Sequence, residues 1–173
     1  MRFLRSAVIV SVASAALIGM ASGAVLSGEQ TSVKAATPKE AGRYLVVIGG
    51  CNDCHSPGWN ESNGKLPVDR WLLGSNVGFH GPWGTSYPSN LRLVVSHMSE
   101  AQWLDMIRTR DGHPPMPWAN LRALSTTDQR AIYAFIKSLG PAGQAAPAYL
   151  PPTQTPKTPV IEFVPHGTGA PTS

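Results

Sequence analysis

The sequence predicts an all-α domain in which three main helices and long loops wrap one covalently attached prosthetic group. Three observations predict it. Three segments carry helix caps followed by apolar residues at helical spacing. No segment alternates apolar and polar residues as a half-buried strand does. The only two cysteines stand in Cys51-Asn52-Asp53-Cys54-His55, a C-x-x-C-H sequence of the kind that attaches c-type haem.

The chain begins Met1-Arg2-Phe3-Leu4-Arg5, a short basic region, and an apolar run rich in Ala, Val, Ile and Ser follows to about Leu26. This is the layout of a secretory signal peptide over residues 1–24, with cleavage as late as residue 36 also open. The run is long enough to span a bilayer, so an uncleaved anchor is the alternative. Either way the rest of the chain is expected outside the cytoplasm, in the periplasm. Removing Arg2 and Arg5 lowers the formal charge from +4 to +2, with 12 basic against 10 acidic residues. With no long basic run and no basic–aromatic interleaving, nucleic acid is not an expected partner.

A single domain over residues 37–140 follows. Its first helix opens at Thr37-Pro38-Lys39-Glu40, where Thr37 caps, Pro38 suits the first turn and Glu40 completes a capping box. It carries Tyr44, Leu45, Val47 and Ile48 and stops at Gly49-Gly50, delivering the chain into Cys51. From His55 to Arg92 the sequence reads as loop, dominated by Gly, Pro, Asn and Trp. Coil of that length counts against a compact domain unless a large flat ligand supplies apolar surface to wrap. The second helix opens at Ser99-Glu100-Ala101-Gln102, another capping box, and runs through Trp103, Met106 and Ile107. The third opens at Ser125-Thr126-Thr127-Asp128, carries Ile132, Phe135, Ile136 and Leu139 on one face, and ends at Gly140-Pro141. Residues 141–173 hold eight prolines in 33 positions. Their composition predicts an extended or disordered tail outside the core.

The C-x-x-C-H spacing has a chemical reason. Two thiols about one helical turn apart can form thioethers with both vinyl groups of one porphyrin. His55 then lies under the ring and supplies an imidazole nitrogen to the iron. The competing readings are weaker. A redox dithiol wants a βαβ context, a zinc site needs a second Cys or Cys/His pair, and a disulfide closing so short a loop stabilises little. One motif implies one haem.

A low-spin iron needs a second axial ligand, and Met116 in Pro114-Pro115-Met116-Pro117-Trp118 is the best candidate. Flanking prolines fix the backbone, so a thioether can be held at the metal with little loss of entropy. A core-filling methionine would sit on an apolar helical face, as Met106 does. Met98 and Met20 are weaker candidates, and His113 is the most credible alternative ligand. For His80 and His97 a solvated surface position is the simpler reading.

A capped helix leading into C-x-x-C-H, a long loop, and Met-Pro before a C-terminal helix resemble class I cytochrome c. Gly84-Thr85-Ser86-Tyr87-Pro88-Ser89-Asn90-Leu91, Ser99-Glu100-Ala101-Gln102-Trp103 and Arg108-Thr109-Arg110-Asp111-Gly112 sharpen the likeness. So do Pro115-Met116-Pro117-Trp118 and Leu124-Ser125-Thr126-Thr127-Asp128. These segments are similar to the haem domains in cytochrome subunits of bacterial membrane-bound alcohol and sugar dehydrogenases. Those subunits usually carry three such domains, and this chain has one motif. The stretch from Trp59 to Phe79 is a Trp-rich departure from the pattern.

The resemblance implies covalent haem at Cys51 and Cys54, His55 as proximal ligand and Met116 as distal ligand. It further implies a proline carbonyl, here Pro67, that orients the His55 ring. Gly42 would let the last helix approach through Tyr133 or Phe135, and Trp118, Arg70 and Asn90 would be within reach of the propionates. The function implied is a carrier of single electrons between a periplasmic dehydrogenase and an oxidase or another cytochrome, not an enzyme. The alternatives are a haem peroxidase-like catalyst or a ligand sensor, each of which needs an open iron position.

Overall fold

The structure is a computed structural model that describes residues 31–164. The expected leader therefore lies outside the described residues, apart from its latest cleavage positions. No helix among the described residues is long and apolar enough to cross a membrane.

All three expected helices form where their caps lie. Helix α1 spans Pro38–Ile48, with the Thr37–Glu40 capping box closed in both directions. It runs into the short α2, Cys51–His55, across Gly50, whose φ of 67° is left-handed. That conformation costs glycine little and lets two helices meet without a loop. Helix α3, Leu91–Ser96, is capped by the Asn90 side chain. Helix α4, Glu100–Thr109, opens with the Ser99–Gln102 capping box. Helix α5 spans Trp118–Ala123, and α6, Thr126–Leu139, is capped by Ser125.

Helices α1 and α6 make the core. Leu45 and Val46 from α1 meet Ile132, Phe135 and Ile136 from α6, with Trp103 and Ile107 of α4 beside them, all buried. The close approach rests on Gly42. A Cβ there would lie 1.9 Å from the Ala131 carbonyl oxygen and 2.8 Å from the Phe135 Cβ. The expected role of Gly42 is thus seen, against Ala131 and Phe135 rather than Tyr133. Buried polar groups are matched locally. Trp103 Nε1 donates to the Gln129 carbonyl at 2.9 Å. The buried Arg92 guanidinium donates to the carbonyls of Asp69, Leu139 and Gly140, satisfying acceptors that the end of α6 leaves open.

The all-α expectation needs a correction. Three short strands form one sheet in the order β2-β1-β3: β1 Gly78–Gly81, β2 Gly84–Ser86 and β3 Val160–Glu162. Strands β1 and β2 form an antiparallel hairpin around Pro82-Trp83, and β3 lies parallel to β1. Each strand is too short, and the hairpin too rich in glycine, to show a period of two.

The tail is extended as expected, but residues 141–164 dock along the domain's own surface. Asn90 Nδ2 donates to the Ala142 and Gln144 carbonyls. Thr85 and Leu150 exchange two backbone hydrogen bonds, at 2.8 and 2.9 Å. The Tyr87 hydroxyl lies 2.8 Å from Thr158 Oγ1, and Phe163 packs on Phe79 and Trp83. A boundary at residue 140 therefore divides one hydrogen-bonded unit. Prolines remove donors but keep carbonyls, so an extended proline-rich chain can still pair along a sheet edge.

Candidate functional site

Helix α2 presents the motif. Cys51 and Cys54 are both free thiols, half-buried, one turn apart. Burial pushes the Cys51 thiol up to about 11, and the nearby Asp53 carboxylate adds to the shift. Burial, then Asp53, also raises Cys54. Thiol-exchange cysteines at helix N-termini have lowered values; here burial and Asp53 act in the opposite direction. Among the described residues, no three His, Cys, Asp or Glu side chains converge on one point.

His55 is 7% exposed. Its Nδ1 lies 2.7 Å from the Ser89 carbonyl oxygen. A carbonyl only accepts, so Nδ1 carries the proton and Nε2 keeps its lone pair. Burial holds the imidazole below its ordinary pKa, partly opposed by the bond to Ser89. The ring is thus neutral, fixed in orientation and in tautomer, with Nε2 unbonded among the described residues. That is the condition of a metal-ligating histidine. The Pro67 carbonyl expected to orient this ring does not do so. Pro67 precedes a short 3₁₀ turn, Val68–Arg70, and its carbonyl accepts from Arg70 N.

The shelf beside His55 is built from two paired segments, 72–75 and 88–91. Gly74 N donates to the His55 carbonyl, Ser75 N to the Pro88 carbonyl, and Leu91 N to the Leu72 carbonyl. Ser56 Oγ donates to Asn52 Oδ1 and accepts from Leu72 N. A Cβ on Gly74, at φ 76°, would lie 2.6 Å from Asn90 N. The Trp-rich loop is therefore ordered by its own backbone bonds and by Trp71, whose Nε1 donates to the Leu66 carbonyl.

Met116 is half-buried, in the loop before α5. Ser86 Oγ donates to the Pro114 carbonyl, so this loop is tied to the strip 86–89 that also holds His55. His113 does not share that environment. It is exposed and stacks on Tyr149, with ring centroids 3.7 Å apart and planes 5° apart. Met98 and Met106 pack against the core, as a gap-filling methionine does. His80 Nδ1 lies 2.8 Å from Thr85 Oγ1 in the hairpin, and His97 is exposed at the end of α3.

The residues expected near the propionates have other work or lie at the surface. Asn90 spends its side chain on the α3 cap and the tail. Trp118 lies beneath the Arg110 guanidinium at 5.4 Å, and Arg70 is exposed. Two surface clefts, about 410 and 610 Å3, are lined by none of Cys51, Cys54, His55 or Met116. The donor set itself fits one c-type haem: two free thiols at thioether spacing, one neutral imidazole with an unbonded nitrogen, and one thioether tethered to the same strip.

Sequence reasoning missed Ser89 and Tyr149. Ser89 acts through a backbone carbonyl, which leaves no mark in the sequence. Tyr149 stood in a segment whose composition pointed away from the core.

No protein-family model matches the chain, and no solved structure does. The chain is 29% identical over 120 residues to one of the subunits of nicotinate dehydrogenase from Pseudomonas putida. The match covers 63% of this chain and 9% of that protein, so this chain spans about a tenth of its relative's length.

Proposed function

We propose that this protein is a periplasmic mono-haem c-type cytochrome, of class I-like arrangement, that carries single electrons between a dehydrogenase and the respiratory chain. The observation that carries the reading is His55: buried, neutral, held at Nδ1 by the Ser89 carbonyl, and flanked by two free thiols on the same helical turn. The likeness to a segment of a dehydrogenase subunit supports work beside such an enzyme.

Cys51 and Cys54 would hold the haem. The thioethers would form by addition, each thiol supplying both the sulfur and the hydrogen that one vinyl group takes up. His55 Nε2 and the Met116 sulfur would hold the iron. When bound, haem supplies a one-electron ferrous–ferric couple, which a thioether ligand shifts toward the reduced form. The Ser89 carbonyl keeps the imidazole from turning, and the tethers on the Met116 loop keep the thioether in place. Side chains held in this way would need little rearrangement on electron transfer. His113 is exposed and stacked on Tyr149, which favours the carrier reading over a peroxidase-like one.

Met116→Ala tests the assignment. The variant is expected to lose the ferric methionine-to-iron charge-transfer band, to fall in reduction potential and to open the iron to exogenous ligands. An unchanged spectrum rejects Met116. A wild-type protein with high-spin iron favours the peroxidase or sensor reading instead.

A further inference from the structure

We propose that Tyr149, from the proline-rich C-terminal segment, is a positioning residue for the methionine loop; this rests on the reading of Met116 as an iron ligand. Residues 111–117 belong to no helix or strand, and Pro114, Pro115 and Pro117 offer no N–H for a ladder. Contacts with its surroundings therefore hold this stretch. Arg110 lies over Trp118, Ser86 Oγ binds the Pro114 carbonyl, and Tyr149 stacks on His113. The first two come from within the helical domain. The third comes from the tail.

The Tyr149 phenol is pinned at both ends. Its hydroxyl donates to the Trp83 carbonyl at 2.6 Å. The next residue, Leu150, exchanges two backbone bonds with Thr85. The ring face is thus a fixed wall against His113, three residues before Met116. Tyr149 is 38% exposed, too open to serve the core, yet its hydroxyl and the backbone of the next residue are both hydrogen-bonded. Movement of the loop would carry the Met116 sulfur away from an iron, and the stack opposes that movement at His113. The tail accordingly sets how often the distal position opens, without touching the ligand.

The test uses the full-length, haem-loaded ferric protein, with imidazole as a probe that enters only when the methionine leaves. Tyr149→Ala is expected to raise the rate of imidazole entry about tenfold, through loss of the aromatic stack. Tyr149→Phe keeps the stack and restores a rate within about threefold of wild type. His113→Ala acts like Tyr149→Ala, and the double variant is no faster than either single one, as for two residues sharing one interaction. Amide exchange accelerates at residues 111–118 and is unchanged in α1 and α6. Imidazole entry at the wild-type rate in both Ala variants, with the methionine band lost in Met116→Ala, overturns the proposal while the ligand reading stands. A Met116→Ala spectrum identical to wild type removes the ligand reading and the proposal with it.

Discussion

His55 owes its properties to two neighbours that act in opposite directions. Burial disfavours its charged form, and the Ser89 carbonyl partly restores it; burial wins, and the folded pKa lies below the ordinary 6.5. The unfolded chain therefore binds more protons than the folded chain just below pH 6.5, so stability rises with pH across that window. The haem-free chain is expected to unfold at lower urea as pH falls from 6.5 toward the folded pKa, and His55→Gln should flatten this slope. A rise in urea resistance on acidification contradicts a buried neutral imidazole. The proposed haem-binding residues Cys51, Cys54 and His55 stand out in the sequence because C-x-x-C-H is a recognisable spacing. Ser89 does not, since any residue type can offer a carbonyl.

Helices were the readable elements, because caps and apolar spacing are local. Thr37 with Glu40, and Ser99 with Gln102, place helix starts that the structure keeps. The hairpin and β3 were unreadable for the opposite reason. Strand β1 finds its parallel partner at Val160, far along the chain, and no local signal encodes such a pairing. Gly42 belongs to this scale as well. Alanine there would gain about 1 kcal/mol in helix propensity. Its Cβ would meet the Ala131 carbonyl at 1.9 Å, and backbone cannot turn aside. Overpacking of this kind costs up to about 3 kcal/mol or more. Gly42→Ala is therefore expected to destabilise the haem-loaded protein by about 2 kcal/mol net in urea unfolding. A neutral or stabilising result means that α1 and α6 do not pack this closely.

For the whole molecule, the chain folds back on its own site. Helices α1 and α6 supply a rigid base, α2 rises from that base to present the thiols and the imidazole, and the hairpin links the His55 shelf to the methionine loop. The tail then closes over the hairpin and touches that loop. The composition of residues 141–173 said only that they would not build a core. What residues 141–164 do instead is set by the unpaired edge of β1 and by the Thr85 backbone, which are tertiary features. The proposed role as an electron carrier calls for such a frame, in which little moves when the charge at the site changes.

The central claim is that Cys51 and Cys54 hold one haem through thioether bonds. The direct measurement is to mature the protein in a host competent for c-type haem attachment, extract it with acidic acetone, and take the alkaline pyridine spectrum of the pellet. The pigment is expected to stay with the polypeptide, at one haem per chain, and replacing both cysteines by alanine is expected to abolish this. A colourless wild-type product, or pigment that leaves entirely with the solvent, contradicts it.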